Sequence, residues 1–337
     1  MTAVAFVESP AQLVNAAEWA ARRDPTRTHL VILGPAPART RFQMHRVQEL
    51  LRGAGFRTSW LDVRGPVPVR ARDAARAAAW ALEASEVIVG DPYSGVIQGL
   101  LALRPRPPRI VVVDDGTATV RYAEQWARGV PLQRWHLPTQ PWSARVLDTR
   151  VGRWLGRRSP HVELFTAMPL PAEHPPASVL DYAWTRDAFG PPTILDGVDL
   201  MGSSLVETGM VDEAGYLRGV QRLVKETQVR RYLPHRAESA TKLARIAQMG
   251  VEIVRPELPM EWHARIGPVG HRILSFPSTV LHTLPIVLQD VDVTVGPIAI
   301  DDEWFTTGDA AARGFVRSIT SSGSDTSDGR TPVGSPS

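Results

Sequence analysis

The fold of this chain is decided by one stretch, Arg109-Ile-Val-Val-Val-Asp-Asp-Gly-Thr-Ala-Thr-Val120. Its β-branched run, 110–113, has no polar interruption, which is typical of a strand buried on both faces of a parallel sheet. The strand ends at two aspartates and a glycine, and an amphipathic helical pattern follows. Ligands of open α/β sheets bind outside the carboxyl ends of the strands, so this stretch predicts two carboxylates at a binding crevice. An ordinary strand-ending turn is the alternative, because Asp and Gly are common turn residues.

Strands and helices alternate on both sides of this stretch. Upstream, the pattern predicts strands at 4–7, 29–33, 58–63 and 86–89, and helices at 11–20, 43–53 and 71–84. A second series begins at Pro192, with strands at 193–201, 231–233, 251–254, 272–274 and 291–295, and helices at 216–225, 240–249 and 280–284. Two such series predict an α/β chain of GT-B architecture, with two Rossmann-like doubly wound domains that face a central cleft.

The predicted domain boundary follows the proline-rich connector 169–176. We expect a first domain over residues 1–180, a second over 181–317, and a tail over 318–337. The tail is rich in Ser, Thr, Gly and Asp and has almost no apolar residues. It cannot bury a core, so we predict that it is disordered.

The composition excludes several classes of protein. Lys and Arg number 38 against 35 Asp and Glu, a net charge of +3 that provides no basic field for nucleic acid. The chain has no cysteine, which excludes disulfides, thiolate metal sites and cysteine nucleophiles. We recognise no signal peptide, and no apolar run approaches the ~18 residues of a membrane span. We therefore expect a soluble cytoplasmic protein, with peripheral association at the inner membrane face as the alternative.

Several short motifs occur along the chain in an order that one family shares. They are Glu8-Ser-Pro-Ala-Gln-Leu-Val-Asn15, Asp114-Asp115-Gly116, Gly202-Ser-Ser-Leu-Val-Glu207, Pro234-His235-Arg236, Pro259-Met-Glu261 and Ser278-Thr279. Over residues 4 to 290, this ordered set resembles the bacterial sialyltransferases and polysialyltransferases of GT-B fold. The chain departs from the family pattern at Arg236, where a proline usually follows the histidine.

The resemblance implies a glycosyltransferase that moves sialic acid from CMP-sialic acid to a glycan acceptor. Inversion at the anomeric carbon is expected, and neither a metal ion nor another cofactor is implied. Asp114 is assigned as the general base, because a carboxylate within reach of the acceptor hydroxyl can take its proton. His235 is assigned to the leaving phosphate, to which an imidazole can donate a proton. In this interpretation the first domain binds the acceptor and the second binds the donor.

The other predicted site residues bind the donor or support the loops. Ser278 and Thr279 begin a helix, where hydroxyls, backbone N–H groups and the helix dipole favour a phosphate. Glu261 is assigned to the ribose hydroxyls, and Glu257 competes with it for this role. The further assigned residues are Gly202 as a donor contact, and Asp115, Gly116 and Arg236 as supports. For Asp115 we also expect a helix N-cap role.

Three alternatives stay open. Asp212 and Glu213, on a predicted loop of the second half, could supply the base in place of Asp114. Another nucleotide sugar, such as a UDP-sugar, would place its diphosphate at the same helix start. A non-catalytic nucleotide- or glycan-binding protein would be favoured if Asp114 and His235 did not come together.

Overall fold

The computed structural model describes residues 3–132, 151–157 and 159–306. The chain divides into two compact units. The first comprises Met1–Ala188 and Glu257–Trp262, and the second comprises Phe189–Pro256 and His263–Ser337. The division therefore follows Ala188 rather than residue 180, and one segment from the second half of the sequence belongs to the first unit. The predicted disordered tail lies outside the described residues.

A seven-stranded parallel sheet is the centre of the first unit. Its strands are β1 (Ala3–Val7), β2 (Thr28–Leu33), β3 (Arg57–Leu61), β4 (Glu86–Val89), β5 (Arg109–Val113), β6 (Val162–Thr166) and β7 (Ala177–Val179). They lie in the order β3-β2-β1-β4-β5-β6-β7, and each neighbouring pair is parallel. The order reverses between β1 and β4, which is the switch point where doubly wound sheets bind ligands.

The predicted strand 110–113 forms the buried part of β5. All four of its residues are 0% exposed, and the strand pairs with β4 on one side and β6 on the other. β-branched side chains pack well on a pleated surface that is covered on both faces. The β-branched run of the sequence is therefore explained by the position of β5 inside the sheet.

Helices connect the strands of the first unit. They are α1 (Pro10–Ala21), α2 (Ala38–Gly53), α3 (Val67–Glu83), α4 (Gly95–Ala102), α5 (Thr117–Arg128) and, at the division, α6 (Ala183–Phe189). The sequence pattern does not predict α4, because Gly95 and Gly99 lower its intrinsic helix propensity. The Ser94 hydroxyl caps the helix locally by accepting the Ile97 N–H, and the burial of Ile97 and Leu101 in the core outweighs the low propensity.

A five-stranded parallel sheet is the centre of the second unit. Its strands are β8 (Ile194–Met201), β9 (Val229–Leu233), β10 (Glu252–Ile253), β11 (Val269–Ser275) and β12 (Thr294–Pro297). Its helices are α7 (Glu213–Thr227), α8 (Ala240–Ala247), α10 (Val280–Val287) and most of α9 (Met260–Ile266), whose first three residues belong to the first unit. The strand order β10-β9-β8-β11-β12 reverses between β8 and β11, so the second unit has its own switch point.

Both units are thus doubly wound and Rossmann-like, which confirms the predicted α/β class. Two such units in one chain are the domain composition of the GT-B fold. In the part of the chain that the structure describes, no helix is both long enough and apolar enough to span a membrane.

Candidate functional site

The first unit presents acidic residues at the carboxyl edge of its sheet. Glu8 follows β1, Asp91 follows β4, and Asp114 and Asp115 follow β5. These strands are neighbours in the parallel sheet, so their carboxyl ends share one edge. We call this set of loops the acidic edge. It lies at the switch point of the first sheet.

Asp114 is held inside the acidic edge by its own carboxylate. It is 1% exposed, and its Oδ1 accepts the Gly116 N–H at 2.7 Å. Its Oδ2 accepts the Thr166 hydroxyl at 3.0 Å and the Ala167 N–H at 3.1 Å. Burial raises the pKa of Asp114, and these hydrogen bonds act in the opposite direction. The carboxylate therefore ties the β5 turn to the end of β6, and its role as base stays a prediction.

Asp115 occupies a less buried position in the same turn. The Ser9 hydroxyl donates a hydrogen bond to Asp115 Oδ1 at 3.4 Å, and the Asp115 N–H donates to Thr119 Oγ1 at 2.8 Å. Gly116, rather than Asp115, is the N-cap of α5, with φ +65°. Glycine adopts that conformation without the penalty of a side chain. The expected cap role of Asp115 is therefore wrong, and its carboxylate is directed toward Ser9 at the end of β1.

The N-terminal motif builds the frame of the acidic edge. The Ser9 hydroxyl caps α1 by accepting the Gln12 N–H, and Gln12 Oε1 accepts the Glu8 N–H at 2.8 Å. A Cβ on Gly90 would lie 2.1 Å from Gln12 Oε1, so any larger residue would displace the Gln12 side chain where the two loops meet. The Asn15 side-chain amide donates to the Asp114 carbonyl oxygen at 2.9 Å. The motif thus connects the loops that follow β1, β4 and β5.

The second unit presents hydroxyls and a histidine at the corresponding edge. Gly202 to Ser204 follow β8, Pro234 to Arg236 follow β9, and Pro277 to Thr279 follow β11. We call this set of loops the hydroxyl edge. Since the strand order reverses between β8 and β11, Gly202 and the Ser278-Thr279 pair stand on the two sides of the switch point.

Ser278 and Thr279 are half-buried at the start of α10. Thr279 is the N-cap residue, but its side chain makes no cap hydrogen bond. The hydroxyl of Thr279 is therefore not committed to the helix, unlike the Ser9 hydroxyl at α1. Phe276, in the same loop, stacks on Tyr216 with ring centroids 4.5 Å apart, which anchors the loop to α7.

His235 is exposed on the β9 loop, and its backbone is firmly held. Its N–H donates to Glu238 Oε1 at 2.6 Å. The Ala237 N–H points to His235 Nδ1 at 3.2 Å, which makes Nδ1 an acceptor and puts the proton of the neutral ring on Nε2. This tautomer can donate a hydrogen bond from Nε2. The neighbouring Arg236 is also exposed.

A network that the sequence reasoning missed supports the hydroxyl edge, and all of its members except Glu207 are buried. We call it the lysine network; its members are Glu207, Tyr216, Tyr232, Glu238 and Lys242. Two sequence signals could have found it. Lysine occurs only twice in this arginine-rich chain, and Glu238 stands four residues before Lys242 at a predicted helix start.

Asp212 and Glu213 begin helix α7 instead of lying on a loop, so the predicted loop is wrong at this point. Asp212 is the N-cap, and its carboxylate accepts the N–H groups of Ala214 at 3.0 Å and Gly215 at 2.7 Å. Glu213 pairs with Arg245 at 3.0 Å. Both carboxylates are accounted for by helix capping and pairing, which disfavours either as the base.

Glu261 is buried in the first turn of α9, in the segment that belongs to the first unit. The next residue anchors the segment, because Trp262 Nε1 donates to Thr185 Oγ1 at 3.0 Å. Burial raises the pKa of Tyr182, and the charge of Glu261 raises it further. Glu257 is exposed and pairs with Arg46 at 3.5 Å.

The predicted site residues thus form two sets. The first unit contains Asp114, Asp115, Gly116 and Glu261. The second unit contains Gly202, His235, Arg236, Ser278 and Thr279. Among the described residues, no group of three or more His, Asp or Glu is arranged to hold a metal ion.

Comparison with known proteins gives similarity of fold only. No protein-family model and no curated protein matches the sequence. Solved structures of similar fold include a UDP-GlcNAc 2-epimerase from Neisseria meningitidis bound to UDP-GlcNAc. Its sequence is 12% identical and the TM-score is 0.49, and the match covers 96% of this chain and 90% of that one. The spinosyn rhamnosyltransferase SpnG has 13% identity and TM-score 0.43, with 90% and 82% covered. MurG from Acinetobacter baumannii has 11% identity and TM-score 0.34, with 95% and 100% covered.

Proposed function

We propose that the chain is a GT-B glycosyltransferase that moves a sugar from a nucleotide donor to the hydroxyl of an acceptor. One observation carries the proposal: each of the two sheets places polar loops at its switch point, and the two sets have opposite chemistry. The acidic edge can accept a proton, and the hydroxyl edge can donate hydrogen bonds to an anion. Glycosyl transfer from a nucleotide sugar needs both functions.

The acidic edge supplies the base in this proposal. The acceptor hydroxyl loses its proton as its oxygen attacks the anomeric carbon, and a carboxylate within hydrogen-bond reach can take it. The contacts favour Asp115 for this step, with Asp114 as the residue that positions it. Asp114 already accepts three hydrogen bonds from the protein, whereas Asp115 is less buried and is directed toward Ser9.

The hydroxyl edge binds the leaving phosphate. The Thr279 hydroxyl, the Ser278 hydroxyl and the amino end of α10 suit a phosphate group. His235 Nε2 donates to the same group and stabilises the charge that develops as the bond to the sugar breaks. In this proposal the protein groups neutralise the phosphate without a metal ion.

The ordered motifs support CMP-sialic acid as the donor. A UDP-sugar is the second candidate, because the same loops would hold its diphosphate. The Neisseria epimerase named above was solved with a UDP-sugar, so UDP belongs in any ligand screen.

A thermal-unfolding screen with CMP, UDP and GDP tests the proposal. The nucleotide of the true donor should stabilise the protein by roughly 2.7 kcal/mol at a hundredfold excess over its dissociation constant. Ser278→Ala/Thr279→Val should lose this stabilisation. Thr227→Val, which removes a hydroxyl bonded to Leu223 O at the far end of α7, should retain it.

The outcomes separate the candidates. Stabilisation by UDP but not by CMP would reject the sialyltransferase while supporting a glycosyltransferase with another donor. Binding without transfer to any glycan acceptor would favour a non-catalytic binding protein. An absence of stabilisation by all three nucleotides would reject the nucleotide-sugar proposal.

A further inference from the structure

Lys242 is completely buried at the centre of the lysine network. Its side chain is 0% exposed, and its ammonium donates to Ser203 O at 3.2 Å and Glu207 Oε2 at 3.0 Å and forms an ion pair with Glu238 Oε2 at 3.1 Å. Two hydrogen bonds and one ion pair therefore surround an ammonium that has three protons to donate. It also lies 4.6 Å from the centroid of the Tyr216 ring.

Glu238 connects Lys242 to the β9 loop. One of its carboxylate oxygens accepts the His235 N–H, and the other accepts the Tyr232 hydroxyl at 2.7 Å and pairs with the Lys242 ammonium. A Cβ on Gly202 would lie 2.1 Å from Glu238 Oε1 and 2.3 Å from the Tyr232 hydroxyl. The β8 loop therefore packs directly against the carboxylate that holds the β9 loop.

Ser203 in the β8 loop is held on both of its backbone polar groups. Its N–H donates to the Tyr216 hydroxyl at 3.2 Å, and its carbonyl accepts from Lys242. The Tyr216 and Tyr232 hydroxyls are 2.8 Å apart, which closes the chain of hydrogen bonds back to Glu238. Glu207, at the end of the same motif, also accepts the Ser239 N–H at 3.1 Å, next to the start of α8.

We infer that Lys242 is a positioning residue that fixes the β8 and β9 loops in the arrangement required to bind the nucleotide. This inference rests on the proposed function. Lys242 belongs to neither loop, yet one buried cation holds a carbonyl of the β8 loop and, through Glu238, the backbone of His235. Buried networks in which every group is satisfied hold their members in one geometry. The inferred ligand is the phosphate of the donor, bound by the hydroxyl edge.

Three variants test the inference. Lys242→Met removes the ammonium but leaves two carboxylates without their cation, which destabilises the fold. Lys242→Met/Glu238→Gln removes one of those charges and should recover much of the stability without restoring the bond to Ser203. Arg231→Met is the matched control, because it breaks another buried ion pair of the same sheet, with Asp199 at 2.8 Å, and touches neither loop.

Nucleotide affinity is measured by calorimetry at a temperature where every variant is folded. Both Lys242 variants should bind the nucleotide roughly 10- to 100-fold more weakly, the order expected for the loss of one hydrogen bond to a charged phosphate. Arg231→Met should bind like the unmodified protein. Wild-type affinity in the double variant would overturn the inference, because Lys242 would then serve only to neutralise buried charge. Equal weakening in Arg231→Met would overturn it as well.

Hydrogen exchange distinguishes failure of the inference from failure of the proposed function. The amides of Ser203 and His235 should exchange faster in Lys242→Met than in the unmodified protein. In Arg231→Met their exchange rates should be unchanged. If both amides keep their protection in Lys242→Met, the inference is wrong, whatever the protein binds. If the unmodified protein binds no nucleotide, the proposed function fails, and the role of Lys242 in nucleotide binding fails with it. Faster exchange of both amides in Lys242→Met would still show that the cation supports both loops.

Discussion

The carboxyl edges of the two sheets share a scaffold and differ in chemistry. The acidic edge carries Asp114 and Asp115, whose loop is held by neutral groups such as Asn15 and Thr166, while Glu8 of the same edge pairs with Arg64 near the surface. The hydroxyl edge carries serines, a threonine and a histidine, and it is supported by a buried cation. Loss of one neutral hydrogen bond costs about 1 kcal/mol, whereas breaking a buried ion pair costs about 3–5 kcal/mol. The two edges should therefore respond differently to substitution.

The largest expected effect separates the two aspartates of the acidic edge. Asp115→Asn keeps the shape of the side chain and removes its basicity, so turnover should fall by about 10²–10⁴-fold with donor binding unchanged. Asp114→Asn should lower thermal stability, because an amide nitrogen cannot accept the bonds that Asp114 receives. Initial rates and unfolding temperatures measure both. Loss of turnover in Asp114→Asn at unchanged stability, with an active Asp115→Asn, would return the base to Asp114.

The hydroxyl edge should show a smaller catalytic effect. His235→Ala removes a donor to the leaving phosphate, and turnover should fall by about 10²-fold, the lower end of the range for proton transfer, because the side chain is exposed.

A metal chelator should not affect the reaction, because protein groups alone are proposed to neutralise the phosphate. Activity should therefore persist in excess EDTA, and initial rates with and without EDTA measure this. Activity that is lost in EDTA and restored by Mg²⁺ or Mn²⁺ would show that a cation carries the phosphate charge.

Two glycines extend the comparison to stability. Gly202→Ala drives a methyl group into the lysine network and should lower the free energy of unfolding by about 1–3 kcal/mol. Gly99→Ala is the control in the first unit, since a Cβ added there would meet nothing within 4 Å and alanine favours the helix by up to about 1 kcal/mol. Urea unfolding measures the free energy of unfolding of both variants. An unchanged free energy of unfolding in Gly202→Ala would contradict the tight packing of the β8 and β9 loops.

The last prediction is a pH dependence that arises at His29, in β2 of the first sheet. Burial lowers the pKa of His29 from 6.5 to about 4, so the unfolded chain takes up this proton before the folded one does. The contribution of His29 to stability is complete above pH 6.5 and is lost as the pH falls toward 4. Buried carboxyls with raised pKa values, such as Asp114, act with the opposite sign. The difference in urea midpoint between the unmodified protein and His29→Gln should shrink over this window, and a constant difference would contradict the prediction.

The secondary structure of both sheets could be predicted because it depends on local patterns. The run 110–113 and the alternation of strands and helices identified most elements of both sheets. The pattern failed where tertiary contacts outweigh local preference. Helix α4 contains two glycines, and α6 depends on Glu18, whose carboxylate accepts the Trp184 and Thr185 N–H groups across more than 160 residues.

The sequence by itself determined the α/β class, the strand-end positions of the motifs and the residue types available there. Hydrophobic periodicity and turn residues are local features, so they can be recognised in a single amino-acid sequence. Only the tertiary structure decided which of these groups are buried and what they touch. It placed Asp114 inside the β5 turn, joined Glu261 to the first unit, and brought Lys242 to Ser203 from 39 residues away. Such contacts depend on strand order and loop path, which local patterns do not encode.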